Sequence, residues 1–291
     1  MKQEKKQAAF YINENNNLLN ECFAKENYKE VIVDARKKLC YIFFSGNGLY
    51  FPNTEGEFRK VIIENDRYEW ENISQASILL EKAGKYIFLR DLYKSWYIKG
   101  INSNIDSIDK LYEWLKEKTK GYRVITVGNS AGGYMAALMG SLLHAEMVFD
   151  FSGQFSLFVC GNVLQQYDML KKYAGEKERE KYLDICKYLE QNENIMFFWP
   201  GQCEADIKQY DLVKETGIYS FRFKAHIHGQ SMYGANIPYL LVQDKQYLVD
   251  LCRHYEGKNI VKEEFFIRTG GVMAFLKMCI AFFKGKILHI K

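Results

Sequence analysis

Proline is scarce, three residues in 291, and no stretch reads as a proline-rich or low-complexity linker. The seven cysteines (Cys22, Cys40, Cys160, Cys186, Cys203, Cys252, Cys279) form an odd set without CxxC pairs or zinc-type spacing. That argues against a disulfide framework and for free thiols in a reducing compartment, so a cytoplasmic setting is expected. No run reaches the roughly eighteen apolar residues of a membrane span, and the start MKQEKKQAAFYINENNN lacks the apolar core of a secretory signal. Charge of one sign is also lacking: 40 basic against 36 acidic residues leave a net +4 with no long basic block, too mixed to argue for nucleic acid. What is present is a globular composition, 48% hydrophobic and 15% aromatic, enough for one large α/β domain with a sizeable core.

Residues 1–27, rich in Lys, Glu and Asn, read as a polar lead-in. Glu30–Asp34 and Leu39–Phe44 are β-rich runs separated by four residues, a hairpin-like start to a sheet. The second is apolar throughout, as in a strand covered on both faces. Tyr86–Leu89, Tyr122–Val127, Met147–Phe151, Ile195–Trp199 and Gly217–Phe223 follow as further strands. Helical patterns lie between them at Ser107–Lys118, Ala131–Leu143, Glu176–Glu190 and Asp206–Lys214, with another at Ile237–Tyr255. Such alternation predicts a mostly parallel sheet of about six to eight strands in a three-layer α/β sandwich. The expected domain is 28–260, with an insertion at Leu49–Asn72 folding over the sheet edge and a small lid at about 153–194. Residues 261–291 form a helical, basic tail. Its apolar run Val272–Phe283 suits packing on the body or a partner, and the flanking KGKILHIK opens an in-plane membrane contact.

The chemistry gathers around Tyr122–Met139, where a β-prone run stops at Gly128-Asn129-Ser130-Ala131-Gly132 and small residues follow. Strand, sharp turn and helix in that order form a nucleophile elbow, which presents the Ser130 hydroxyl at the carboxyl edge of a sheet. A serine hydroxyl is a poor nucleophile at neutral pH and needs a general base, itself oriented by an acid. Of five histidines, His144, His254 and His289 stand in unsuitable places, whereas His226 and His228 follow the last sheet strand. His228 is favoured because Gly229 allows a tight turn after it, with His226 the alternative. The acid should come from the loop after Ile195–Trp199: Asp206 first, then Glu204, with Asp150 a third choice. Asp206 would also suit a helix start. An oxyanion hole needs two N–H groups; Ala131 supplies one, and Ser45-Gly46-Asn47-Gly48 the other, through Asn47 or else Gly46.

From Lys38 to Gln230 the sequence resembles the α/β-hydrolase superfamily, through VGNSAGG as the elbow, FFSGNG as the oxyanion loop, WPGQCEAD as the acid-bearing loop and HIHG at the histidine. The resemblance implies a mostly parallel sheet and serine-dependent acyl chemistry on an ester, with neither metal nor cofactor. It departs from the pattern in having Ser45-Gly46 where His-Gly is usual, in the offset of the acid and in an abbreviated leading hairpin. LRDLYKSWYIKGI, with FDFSGQFSL and the elbow, is also similar to hydrolases found with bacterial surface-polysaccharide biosynthesis genes. That implies an acylated glycan as substrate, or O-acetyl transfer to one, with Arg90, Asp91, Trp96 and Tyr97 in contact with sugar. A non-catalytic accessory protein keeping the same fold is the reading from a different class.

Overall fold

The computed structural model describes residues 10–159, 161, 163–190 and 192–288. Cys160, His289 and the first nine residues of the lead-in therefore lie outside the described residues. Seven strands, β1 (Tyr28–Ile32), β2 (Leu39–Phe44), β3 (Lys85–Leu89), β4 (Arg123–Asn129), β5 (Met147–Phe151), β6 (Ile195–Pro200) and β7 (Tyr219–Phe223), lie in the order β1-β3-β2-β4-β5-β6-β7. All neighbours are parallel except β1, which runs antiparallel to β3 with Tyr28 opposite Leu89. The expected hairpin of the first two runs is thus not formed. β2 already has a parallel partner on each side, so the sheet edge beside β3 is the place left for β1. Its charges are met there: Glu30 pairs with Lys85 at 2.7 Å and Lys118 at 2.6 Å, and Lys29 with Glu71 at 2.8 Å.

Alternating residues of β2 feed two separate cores, as the period of two requires. Cys40, Ile42 and Phe44 join the helices Ile108–Lys118 and Ala131–Leu142 on one face. Leu39, Tyr41 and Phe43 pack on the other with Leu240, Leu248, Leu251 and Phe265 from the C-terminal helices. Three layers result, and a Phe43→Ala change would cost about 3–5 kcal/mol. The helix from Ile108 starts where Ser107 accepts from Lys110 N–H at 3.2 Å, and it buries Ile108, Leu111 and Leu115.

Three expected elements come out differently. Glu176–Glu190 is broken into Lys177–Glu180 and Cys186–Leu189, because the chain between them runs extended beside Phe155–Leu157, with Leu157 N–H on Leu183 and Ile185 N–H on Phe155. Ile237–Tyr255 is split into Ile237–Leu240 and Lys245–His254; between them the Leu241 carbonyl accepts from the Tyr41 hydroxyl at 3.1 Å. The Leu49–Asn72 insertion meets the edge strand β1 through the Glu71–Lys29 pair but also reaches inward past it. It runs through a helix and a π-helical turn, Glu55–Phe58 and Arg59–Glu64, and docks its end on the central strand β2, where Trp70 Nε1–H donates to the Phe44 carbonyl at 3.0 Å.

The last helix, Lys262–Leu288, is interrupted at Gly271, whose φ of 82° and ψ of 161° are not helical. By length and composition Lys262–Lys284 is long and apolar enough to cross a membrane, with a mean hydropathy of 1.6, contrary to the sequence expectation. The break, and the burial of Phe265 and Phe266 in the body, tie its first half to the domain.

Candidate active site

At the end of β4, Ser130 occupies the turn with φ 56° and ψ −120°, a strained conformation for a residue with a side chain. The neighbouring glycines make it possible: a Cβ on Gly128 would lie 2.0 Å from the Gly132 carbonyl oxygen, and one on Gly132 would lie 2.3 Å from that of Phe44. The elbow helix therefore packs against the ends of β2 and β4 at backbone contact. Ala131, its first residue, has an N–H that no turn of the helix can satisfy.

The Ser130 Oγ stands 2.9 Å from His228 Nε2, and His228 Nδ1 lies 3.0 Å from both oxygens of Asp206. Asp206 is 1% exposed, in the first turn of the helix Glu204–Val213; Cys203, not Asp206, takes the N-cap place. The bond to Asp206 orients the ring as the Nδ1–H tautomer and leaves the Nε2 lone pair for the serine proton. Gly229, with φ 74°, turns the chain after His228 and gives its N–H to Ser152 Oγ at 3.2 Å.

The alternatives stand elsewhere. His226 is exposed and makes no hydrogen bond among the described residues. Glu204 is exposed and paired with Lys208 at 2.7 Å. Asp150 is fully buried, accepts from Gly153 N–H at 2.7 Å, and has no partner at Oδ2. Burial, with the charge of Asp206 nearby, pushes its carboxyl well above the usual range.

Of the two expected donors after β2, Gly46 is occupied: its N–H is bonded to Glu69 Oε2 at 2.6 Å. Burial raises the Glu69 carboxyl, against that bond. Glu69 N–H in turn donates to Ser45 Oγ at 3.1 Å. Asn47 N–H makes no hydrogen bond among the described residues, and the Asn47 carbonyl is held by the ammonium of buried Lys94, which also meets Asn53 Oδ1 and lies 3.9 Å from the centre of the Tyr50 ring. Burial lowers Lys94 to about 7. The N–H groups of Asn47 and Ala131 make no hydrogen bond among the described residues and are the candidate pair of donors.

Arg90, Asp91, Trp96 and Tyr97 are not placed as sugar contacts, since all four are buried and serve the protein itself. Arg90 bonds Asn27, the Arg67 carbonyl and Asp66. Asp91 accepts the backbone N–H groups of Tyr93, Ser95 and Tyr97, bonds that work against the upward push of burial on its carboxyl. Tyr97 donates to the Ser45 carbonyl at 2.8 Å. The Trp96 indole donates to Gln154 Oε1 at 2.9 Å, and Gln154 Nε2 lies 3.1 Å from His228 Nε2 and 3.4 Å from Ser130 Oγ. Sequence reasoning missed Gln154, Glu69 and Lys94; Lys94 and Gln154 lie within the stretches LRDLYKSWYIKGI and FDFSGQFSL, and Glu69 lies in the Leu49–Asn72 insertion.

No family model matches the sequence, and no curated protein matches it. Solved structures do. The chain is similar to a capsule O-acetyltransferase of Neisseria meningitidis serogroup A (TM-score 0.50, 10% identity, 79% of this chain and 92% of that one). It is also similar to acetyl xylan esterase 1 from Thermoanaerobacterium sp. JW/SL YS485 (TM-score 0.45, 14% identity, 73% of this chain and 75% of that one). Seven strands of this order, an elbow after β4 and helices on both faces give the chain the α/β-hydrolase fold.

Proposed function

We propose that this protein is a serine-dependent enzyme that cleaves or transfers the acyl group of an ester. The observation that carries the reading is the 2.9 Å approach of Ser130 Oγ to His228 Nε2, with Asp206 behind the ring. Ser130 attacks the ester carbonyl as its proton passes to His228; Asp206 holds the imidazolium, and the N–H groups of Ala131 and Asn47 receive the oxyanion. His228 then protonates the departing alcohol, and water or another hydroxyl releases the acyl group by the same steps reversed. A non-catalytic accessory role would be favoured by a gap between Ser130 and His228, which the 2.9 Å distance does not leave. A fluorophosphonate probe is expected to label the wild type and not Ser130→Ala; labelling that survives the change sinks the reading.

Transfer to a glycan hydroxyl is a second reading of the same site. It differs only in the hydroxyl that releases the acyl group, and exclusion of water when an acceptor is bound would favour transfer over hydrolysis. Product analysis with and without a sugar acceptor separates the two. The free thiols at Cys22, Cys40, Cys186, Cys203, Cys252 and Cys279 fit the cytoplasmic setting that this reading assumes.

The C-terminal helix adds a location to the activity: it rests on an anionic membrane surface. Val272, Leu276, Ile280 and Phe283 are exposed and recur on one helical face, with Lys277 and Lys284 exposed beside them. From Phe265 to Lys291 the sequence holds Arg and Lys and no acidic residue, so pairing of two copies through this face would set like charges together. The full chain is expected to sediment with phosphatidylserine-containing vesicles and a chain ending at Gly270 to stay in solution. Equal behaviour of the two chains would remove the membrane contact.

A further inference from the structure

We propose that Gln154 is a further catalytic residue, whose amide N–H holds the alcohol oxygen of the ester, and that the site is thereby fitted to esters of alkyl or sugar hydroxyls. The proposal rests on the serine-dependent reading above.

Its first support is the orientation of the amide. The Trp96 indole can only donate, so the atom of Gln154 at 2.9 Å from it is the carbonyl oxygen, and the NH2 group is turned toward the triad. Trp96 is itself fixed, at φ 53° and with its ring edge-on to Tyr167 at 4.9 Å. A buried donor is thus aimed by a buried donor.

The second support is what that NH2 group meets. In the resting site the Nε2 lone pair of His228 faces two donors, Ser130 O–H at 2.9 Å and Gln154 Nε2–H at 3.1 Å. Once the serine proton has moved to His228, two N–H groups 3.1 Å apart face each other without an acceptor, and an oxygen to one side of the pair, within reach of both, satisfies them. The substrate brings such an oxygen to this place at this moment. When the tetrahedral intermediate collapses, the bond between the carbonyl carbon and the alcohol oxygen breaks with its electron pair on that oxygen. The oxygen takes the proton from His228 Nε2 and leaves as the free alcohol, with Gln154 donating to its other lone pair. In the second half, an incoming hydroxyl oxygen stands at the same point, gives its proton to His228 and forms the new bond to the acyl carbon; the bond from that carbon to Ser130 Oγ then breaks with its electron pair on Oγ, which takes the proton back from His228. A second donor matters most for a strongly basic alkoxide and little for a phenolate that leaves unaided, which defines the substrate class.

The test compares glyceryl triacetate, an alkyl ester, with p-nitrophenyl acetate, an activated aryl ester, in the wild type, Gln154→Ala and Trp96→Phe. Gln154→Ala is expected to lose about 10²-fold in kcat/KM on the alkyl ester and only a few-fold on the aryl ester. Trp96→Phe frees the amide to turn over, and as the change of a positioning residue it moves the same ratio in the same direction by about tenfold. Equal losses on both esters in both variants would make the pair structural and overturn the proposal; should Gln154→Ala not fold, the ratio in Trp96→Phe decides. Fluorophosphonate labelling of the wild type keeps the two readings apart. A labelled wild type with an unchanged ester ratio brings down Gln154 alone, whereas a wild type that neither labels nor turns over either ester brings down the serine reading and this proposal with it.

Discussion

On the wall of the site that follows β2, three backbone groups near the elbow are held by side chains while the Asn47 N–H stays unbonded among the described residues: the Gly46 N–H on Glu69, the Asn47 carbonyl on Lys94 and the Phe44 carbonyl on Trp70. On the wall that follows β7, the His228 side chain is 34% exposed and is held through Asp206, Gln154 and the turn at Gly229. The contrast follows from what each wall has to do. Oxyanion donors must be in place before charge develops, because reorganising them would add to the barrier, so their loop is fixed from several sides. A histidine must exchange a proton with two different oxygens in turn, and a ring steered by one carboxylate can do that.

Breaking the β7 wall should have the larger effect. Asp206→Asn removes the charge that supports the imidazolium and the acceptor that sets the tautomer, and kcat should fall on the order of 10⁴-fold. Glu204→Gln, two residues earlier and exposed, should leave kcat within about twofold; a large loss there would exchange the roles of the two acids. On the β2 wall, Lys94→Met releases the Asn47 carbonyl and should lower kcat about tenfold with little change in KM.

Lys94 also gives the β2 wall a pH signature. Its folded value of about 7 lies below the ordinary lysine value of about 10.4. Below pH 7 the amine is charged whether the chain is folded or not. Between the two values the unfolded chain binds the extra proton, so stability should climb with pH across that window, and this climb should be absent from Lys94→Met. Denaturant titrations of both proteins at pH 7 and pH 9.5 measure it, and parallel behaviour would assign the rise elsewhere. The smallest change is Gly229→Ala, at φ 74° on the exposed wall, which should cost about 1 kcal/mol of stability with only a few-fold loss of rate. A thermal melt reads it directly.

The sheet and the three residues now in line at the elbow were legible because each carries a local signal. Small residues around Ser130 mark a strand meeting a helix at backbone contact, and Asp206 and His228 follow strands whose carboxyl ends share one edge. Pairing was less legible. β1 and β2 are adjacent in sequence, and only the occupation of both sides of β2 sends β1 to β3. Contact of Arg90, Asp91 and Tyr97 with sugar is implied by the resemblance to polysaccharide-associated hydrolases, which says nothing of whether their side chains are buried. Here they build the loop, which carries positive φ at Lys94, Trp96 and Tyr97. Gln154, Glu69 and Lys94 act through burial and long-range pairing, and neither leaves a periodic or spaced trace in a chain.

The position of β1 bears on whether the molecule keeps to itself. Without it, the outermost strand on that side would be β3, whose five residues are all buried, with a row of unpaired amide and carbonyl groups ready to receive a strand from another chain. The antiparallel cover puts Lys29 and Glu30 there instead, in ion pairs with Glu71, Lys85 and Lys118. A strand that contributes nothing to the chemistry thereby protects an apolar parallel sheet from edge-to-edge aggregation.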